Sequence, residues 1–266
     1  VKREDVVIAS KVYFNEGRLS KEAIFREIAG TLKRLQTDYL DLYIIHRFDY
    51  DTPMEETMEA LNELVKCGKV RAIGVSAMYG YQFHNMQIIA RDNHWTPFST
   101  MENHYNLLFL EDEKEFIARE EEREMIPFCQ SEQIALTPYS PLAGGHLARN
   151  TWESNTSRGK TDRVVHSKYD HFEKQDMEIV KCVDELAHKY HCKMSQIALA
   201  WQWAKGVSSP IIGATKMQYI DDAVMALEIS LTNEDLTYLE ERYVPHPIVG
   251  AINENPPQGT VLLDKK

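Results

Sequence analysis

The chain has 266 residues, of which 43% are hydrophobic, enough for one large domain with a sizeable core; a single α/β barrel commonly fills about 250 residues. Acidic residues outnumber basic ones by 41 to 30 and the basic ones are scattered, which argues against a nucleic acid partner. No apolar run approaches the roughly 20 residues of a membrane span, and the opening "VKREDVV" lacks the apolar region and cleavage site of a signal peptide, so a soluble cytoplasmic protein is expected. The four cysteines, Cys67, Cys129, Cys182 and Cys192, show no C-x-x-C spacing and no paired histidines, which indicates free thiols and no metal site.

The first predicted strand, near residues 5–11, contains the run "VVIASK" and ends on Lys11. Ile24, Ile28, Leu32 and Leu35 then recur at helical spacing and give one apolar stripe for a sheet to cover. A strand near 40–46 ends on His46. In "DTPMEETMEALNELVKCGKV", Thr52 is the expected cap, Pro53 the first helical residue, Glu55 the partner in a capping box and Gly68 the stop. Strands near 69–76 and 97–102 end on Ser76 and on Glu102 and Asn103; a helix is expected near 82–92 between them and another near 112–131. Strands near 133–138 and 210–213 lead to Tyr139 and Ser140 and to Thr215 and Lys216, and helices are expected near 173–190, 195–204, 217–227 and 233–242, the last capped by Thr232. Residues 143–172 are polar and long for a connection, which favours a functional loop, and the tail 243–266 is rich in proline, with Ile248 and Val249 expected to pack.

Short strands alternating with longer helical segments predict βαβ units and a parallel sheet. In a parallel barrel the active site gathers at the carboxyl ends of the strands, so six strands that all end on polar residues predict one rim carrying Lys11, His46, Ser76, Glu102, Asn103, Tyr139, Thr215 and Lys216.

The segments "VVIASK", "TDYLDLYIIHRFD", "GKVRAIGVS", "MENHYNLL", "TPYSPLAGGHL" and "PIIGATK" together resemble successive strands of the aldo-keto reductases, in order and over nearly the whole chain. The resemblance implies a single (β/α)8 TIM barrel domain over 1–266 that binds NADP(H) and reduces small aldehydes or ketones by hydride transfer, with a catalytic tyrosine helped by an aspartate, a lysine and a histidine. It assigns the lysine to Lys11 and the histidine to His46. An ammonium beside a phenol favours phenolate, and an imidazole can donate to a carbonyl oxygen. The family's aspartate and tyrosine belong upstream of the lysine strand, and six strand units are counted where a closed barrel needs eight. The expectation is a barrel lacking its first two βα units. Tyr13 and Tyr50 lie just past rim strands but do not match the tyrosine motif.

For the cofactor, the resemblance makes Tyr139 the ring on which the nicotinamide stacks, with Ser76 at its carboxamide; the family's glutamine there is Glu102, which can accept from the amide nitrogen but not donate to its oxygen. "SPLAGGHL" contributes Ser140, Leu142, Gly144 and Gly145 near the pyrophosphate. Gly213, Thr215 and Lys216 open a helix where a phosphate fits, and Lys216 points to NADP rather than NAD. Tyr219 and Asp222 fall near the adenine, and Trp152, Tyr79 and Tyr81 are candidate walls of the substrate pocket. Residues 109–118 look like an inserted charged helix relative to the family. Two competing readings are a non-catalytic cofactor- or partner-binding member of the family, or a truncated inactive homologue, and an unrelated barrel enzyme using Lys11 as a Schiff base. The sequence carries no signal of oligomeric state.

Overall fold

The structure, a computed structural model, describes residues 2–110, 124–246 and 254–256, without the side chains of residues 157 and 158. These fall into two units, one of residues 2–102, 131–134 and 254–256, the other of residues 103–110, 124–130 and 135–246.

In the first unit, strands β1 (Ala9–Val12), β2 (Leu40–Ile45), β3 (Val70–Ser76) and β4 (Thr100–Glu102) alternate with helices α1 (Lys21–Leu35), α2 (Met54–Lys66) and α3 (Gly80–Asp92). The strands pair in parallel and in consecutive order, with Lys11 beside Ile44, Ile44 beside Gly74 and Gly74 beside Thr100. Because side chains alternate along a strand, this register sorts the residues into two faces. Tyr43, Ile45, Ile73 and Val75 share one face and are fully buried, and the expected stripe of α1 holds only in its first half, where Ile24 and Ile28 are sealed, whereas Leu32 is half-buried and Leu35 exposed. Each of the fully buried aliphatic side chains among these contributes roughly 1.5–3 kcal/mol by leaving water. The other face carries Lys11, Leu42, Ile44, His46, Gly74, Ser76, Thr100 and Glu102, and turns polar toward the carboxyl ends.

Two local expectations are corrected here. The first strand starts at Ala9 rather than near residue 5, because Arg3–Asp5 form a 3-10 turn held by the Arg3 guanidinium on Asp41 (2.7 Å) and on the Tyr39 carbonyl (3.0 Å). Thr52 does not cap α2: its hydroxyl donates to Asp49 Oδ2 at 2.7 Å, and the helix starts from Pro53 with no side-chain cap. Gly68 does stop that helix; its φ of +75° lets its amide reach the Val65 carbonyl while Lys69 reaches that of Leu64. A distant pin closes the unit. Asn255 accepts from Tyr13 Oη (2.9 Å) and the Tyr50 amide (3.1 Å) and donates to Asp49 Oδ1 (3.0 Å), while Arg18 donates to the Pro256 carbonyl.

In the second unit, α4 (Ile126–Ser131, whose last residue belongs to the first unit) covers only the end of the helix expected near 112–131; residues 111–123, with most of the expected insertion, lie outside the described residues, as do Ile248 and Val249. The strand expected at 133–138 is only β5 (Ala135–Leu136), and that expected at 210–213 is one parallel bridge, Ile211 with Tyr139. Proline explains both, since Pro138 and Pro210 have no amide to donate to a ladder. The excursion 143–172 folds into a 3-10 turn (Ala143–Ala148), α5 (Ser157–Thr161), α6 (Arg163–Tyr169) and a second 3-10 turn, and α7 (Glu173–Lys189), α8 (Met194–Ala204), α9 (Met217–Met225) and α10 (Asn233–Glu240) follow. Thr232 caps α10 as expected, accepting from the Asp235 amide at 3.2 Å. No helix among the described residues is long and apolar enough to cross a membrane.

Gly74 lies between Ile44 and Thr100, and a Cβ there would overlap Thr100 Oγ1 and sit 3.2 Å from Ile44 Cγ1. Gly74→Ala is therefore expected to destabilise the protein by roughly 1–3 kcal/mol, and adding Thr100→Ala should restore most of the loss; urea denaturation of the single and double variants checks both.

Candidate active site

The candidate residues of the first unit stand on its polar sheet face. Lys11 Nζ lies 2.9 Å from Glu102 Oε1, and the two side chains are 30% and 5% exposed. Neighbouring strands are about 4.8 Å apart, so about 14 Å would separate β1 from β4 in a flat sheet. Side chains from strands three steps apart meet because the sheet curls around this face. Glu102 Oε2 is buried and has no hydrogen-bond partner. The Ser76 hydroxyl donates to the Glu102 carbonyl at 2.7 Å and fixes the two strand ends together.

His46 continues β2, its amide donating to the Val12 carbonyl at 3.0 Å. Burial, and then the charges of Lys11 and Arg47, push its pKa down to about 4. The ring is therefore neutral at physiological pH and able to donate one N–H to an uncharged oxygen. Phe14 stands edge-on to it, with centroids 5.0 Å apart. The two phenols past the rim strands are engaged elsewhere: Tyr13 donates to Asn255 and Tyr50 accepts from Gln82 Nε2 at 2.9 Å. Burial raises the pKa of both, so neither is set up to release its proton easily. Tyr79 and Tyr81 stack at 5.9 Å.

In the second unit Tyr139 is bridged in parallel to His104 and to Ile211, and its amide donates to the Asn103 carbonyl at 2.9 Å. The His104 ring lies parallel to that of Tyr139, 4.9 Å between centroids and 6° apart. Asn106 Nδ2 donates to the Ser140 carbonyl at 2.9 Å and to Tyr169 Oη at 3.0 Å. Next along the chain, Leu142 accepts from the Gly145 amide at 2.8 Å, so that amide is used within the turn. Gly144 has φ +64° and a Cβ there would strike Val165 of α6, so this glycine brings the turn against the helix. Gly213, Thr215 and Lys216 are exposed ahead of α9. Lys216 Nζ lies 5.7 Å over the Tyr219 ring, and Asp222 is held by Lys193 Nζ at 2.6 and 2.7 Å. Trp152 stacks on His146 at 4.0 Å and donates to Asp170.

The structure thus gathers Lys11, His46, Ser76 and Glu102 on one face of the first unit. In the second it places Tyr139, Ser140 and Leu142 along one stretch and Gly213 to Asp222 along another. His104, Asn106, Lys168 and Tyr169 were not singled out from the sequence. His104 and Asn106 alternate with Tyr105, which packs against Trp201, and that period is a legible signal. Nothing in the sequence ties Lys168, 64 residues away, to them.

Parallel βα units whose strands end on polar residues place the chain in the α/β class, and its similarity to known proteins names the family. The aldo/keto reductase family model matches residues 1–243, and the chain belongs to that family. It is 43% identical over 241 residues to an aldo-keto reductase of Fusarium vanettenii, covering 91% of this chain and 62% of that protein. It is 43% identical over 239 residues to a putative aryl-alcohol dehydrogenase of Schizosaccharomyces pombe, covering 90% of this chain and 64% of that one. The chain thus spans less than two thirds of the length of these relatives. Among solved structures, a thermostable aldo-keto reductase in complex with the inhibitor epalrestat superposes with a TM-score of 0.70 at 27% identity, covering 91% of this chain and 73% of that one. The fold class is accordingly the parallel α/β class of this family.

Two measurements test this geometry. His46 carries a folded pKa of about 4 against 6.5 in the unfolded chain, so between those values the unfolded state binds more protons. Stability should fall as pH drops from about 6.5 to 4, His46→Gln should flatten part of that slope, and the imidazole NMR resonance should stay neutral down to about pH 5. Lys11→Met strands a buried carboxylate and should cost roughly 1–3 kcal/mol. Glu102→Gln in the same chain should recover much of it, as a double-mutant cycle would read.

Proposed function

We propose that this chain belongs to an NADP(H)-dependent oxidoreductase that reduces small aldehydes or ketones to alcohols by hydride transfer. Family membership supports the reading, and the gathering of Lys11, His46, Ser76 and Glu102 on one curled sheet face is the observation that carries it.

The donor and acceptor set suits a nicotinamide: the unpartnered Glu102 Oε2 is an acceptor matched to a carboxamide N–H, and Ser76 keeps its lone pairs for the same group. When bound, the reduced nicotinamide would supply the hydride to the carbonyl carbon, and solvent would supply the proton that completes the alcohol. The chain's own residues bind and orient. His46, neutral, donates an N–H to the carbonyl oxygen and polarises it. Lys11 sets the positive potential beside that oxygen, and Glu102 holds its ammonium in place. Tyr139 offers a flat ring for stacking, and Ser140, Leu142, Gly144 and Gly145 shape the turn beside it. Gly213, Thr215 and Lys216 would hold the phosphate end, Lys216 supplying a cation for a 2′-phosphate, and Tyr219 and Asp222 would be the adenine residues. Phe14 beside His46 favours an aromatic substituent on the carbonyl compound, in keeping with the aryl-alcohol name of one relative.

A second reading, a member of the family that binds the cofactor without turnover, is favoured by the engagement of both rim phenols, Tyr13 and Tyr50, in hydrogen bonds. The two part cleanly in one assay. NADPH should quench protein fluorescence with roughly tenfold or greater preference over NADH, the scale of one charge-assisted contact, and Lys216→Ala should abolish most of that preference. Absence of quenching would refute the cofactor reading. Oxidation of bound NADPH on adding a nitrobenzaldehyde identifies the enzyme, and binding without oxidation identifies the second reading.

A further inference from the structure

Tyr139 is one member of a polar and aromatic cluster contained within the second unit. His104 lies flat against it, and the His104 ring is in turn 3.9 Å from that of Phe109. Lys168, on α6, brings its Nζ to 3.3 Å from His104 Nδ1 and 3.4 Å from Tyr139 Oη, and 5.0 Å over the Tyr139 ring. An ammonium only donates, so Nδ1 accepts and the ring proton sits on Nε2, 2.8 Å from Tyr169 Oη. Burial first, then the charges of Lys168 and His246, hold His104 far below the usual histidine range, so this tautomer persists across physiological pH. The imidazole is thereby fixed at both nitrogens, and Tyr169 is itself fixed by Asn106.

A ring held at both ends and stacked on a second ring restricts that second ring's plane. We propose that His104, braced by Lys168 and Tyr169, is the positioning residue that sets the plane of Tyr139 on which a nicotinamide stacks. The inference rests on the cofactor reading above and adds to it a specific role for two residues of this chain. It also accounts for the excursion 143–172, because α6 delivers Lys168 to Tyr139, and Val165 of the same helix packs over Gly144. The turn after Tyr139 and the tyrosine are thus seated by one helix. Pre-ordering a platform raises affinity for the group that stacks on it and leaves contacts at the far end of the ligand untouched.

The test compares two ligands, NADPH and adenosine 2′,5′-bisphosphate, which keeps the adenine end and lacks the nicotinamide. Dissociation constants are measured by calorimetry for the unaltered chain, His104→Ala and Lys168→Met. His104→Ala should weaken NADPH about tenfold and Lys168→Met about threefold, with bisphosphate affinity unchanged within twofold and with the emission of bound NADPH shifted toward that of the free dinucleotide. Lys168 is half-buried on a helix and its methionine variant keeps the apolar stem, so it decides the matter if His104→Ala does not fold. Equal losses for both ligands, or no loss for NADPH, would overturn the positioning role and leave the cofactor reading standing. Failure of the unaltered chain to bind NADPH would overturn both.

Discussion

The ion pair of Lys11 with Glu102 ties β1 to β4 across the two parallel strands between them, and the rest of the first unit's polar face is arranged around it. Three features must coincide for it to form. Register puts both residues on the same face, curvature brings β1 and β4 within side-chain reach, and Gly74 has no Cβ to crowd Thr100 of β4. His46 and Ser76 occupy the same face at the strand ends, so the constraint that places the ion pair also places the imidazole. Lys11 in turn helps to keep that imidazole neutral.

The same logic runs differently in the second unit. There the strands are short, because prolines interrupt them, and Tyr139 is held less by a ladder than by its neighbours: His104 stacked beside it, Lys168 at its hydroxyl, and a backbone bond to Asn103. A weak strand that needs a brace leaves side chains from outside the sheet to set the geometry. That is why a helix within a long polar excursion comes to matter.

Much of this was legible in the sequence where periodicity was strong. The alternation of apolar runs with helical stripes gave the βα order, and the polar ending of each run marked Lys11, His46, Ser76, Glu102 and Tyr139. Local caps were partly legible: Thr232 and Gly68 act as their spacing suggests, whereas Thr52 was drawn away by Asp49, a competitor in tertiary rather than local structure. Strand lengths near Pro138 and Pro210 were overestimated because apolar content outweighed the missing amides. The Asn255 pin and the Lys168 brace were not legible at all, since both join residues with no shared pattern across 64 to 242 positions.

The most direct probe of the central ion pair is a nitrogen–proton correlation of the lysine ammonium groups. A signal for Lys11 that exchanges slowly with water, shows coupling to the carboxylate carbon of Glu102 and vanishes in Glu102→Gln is the predicted result. A Lys11 ammonium that exchanges as fast as the surface lysines and ignores substitution at position 102 would contradict it.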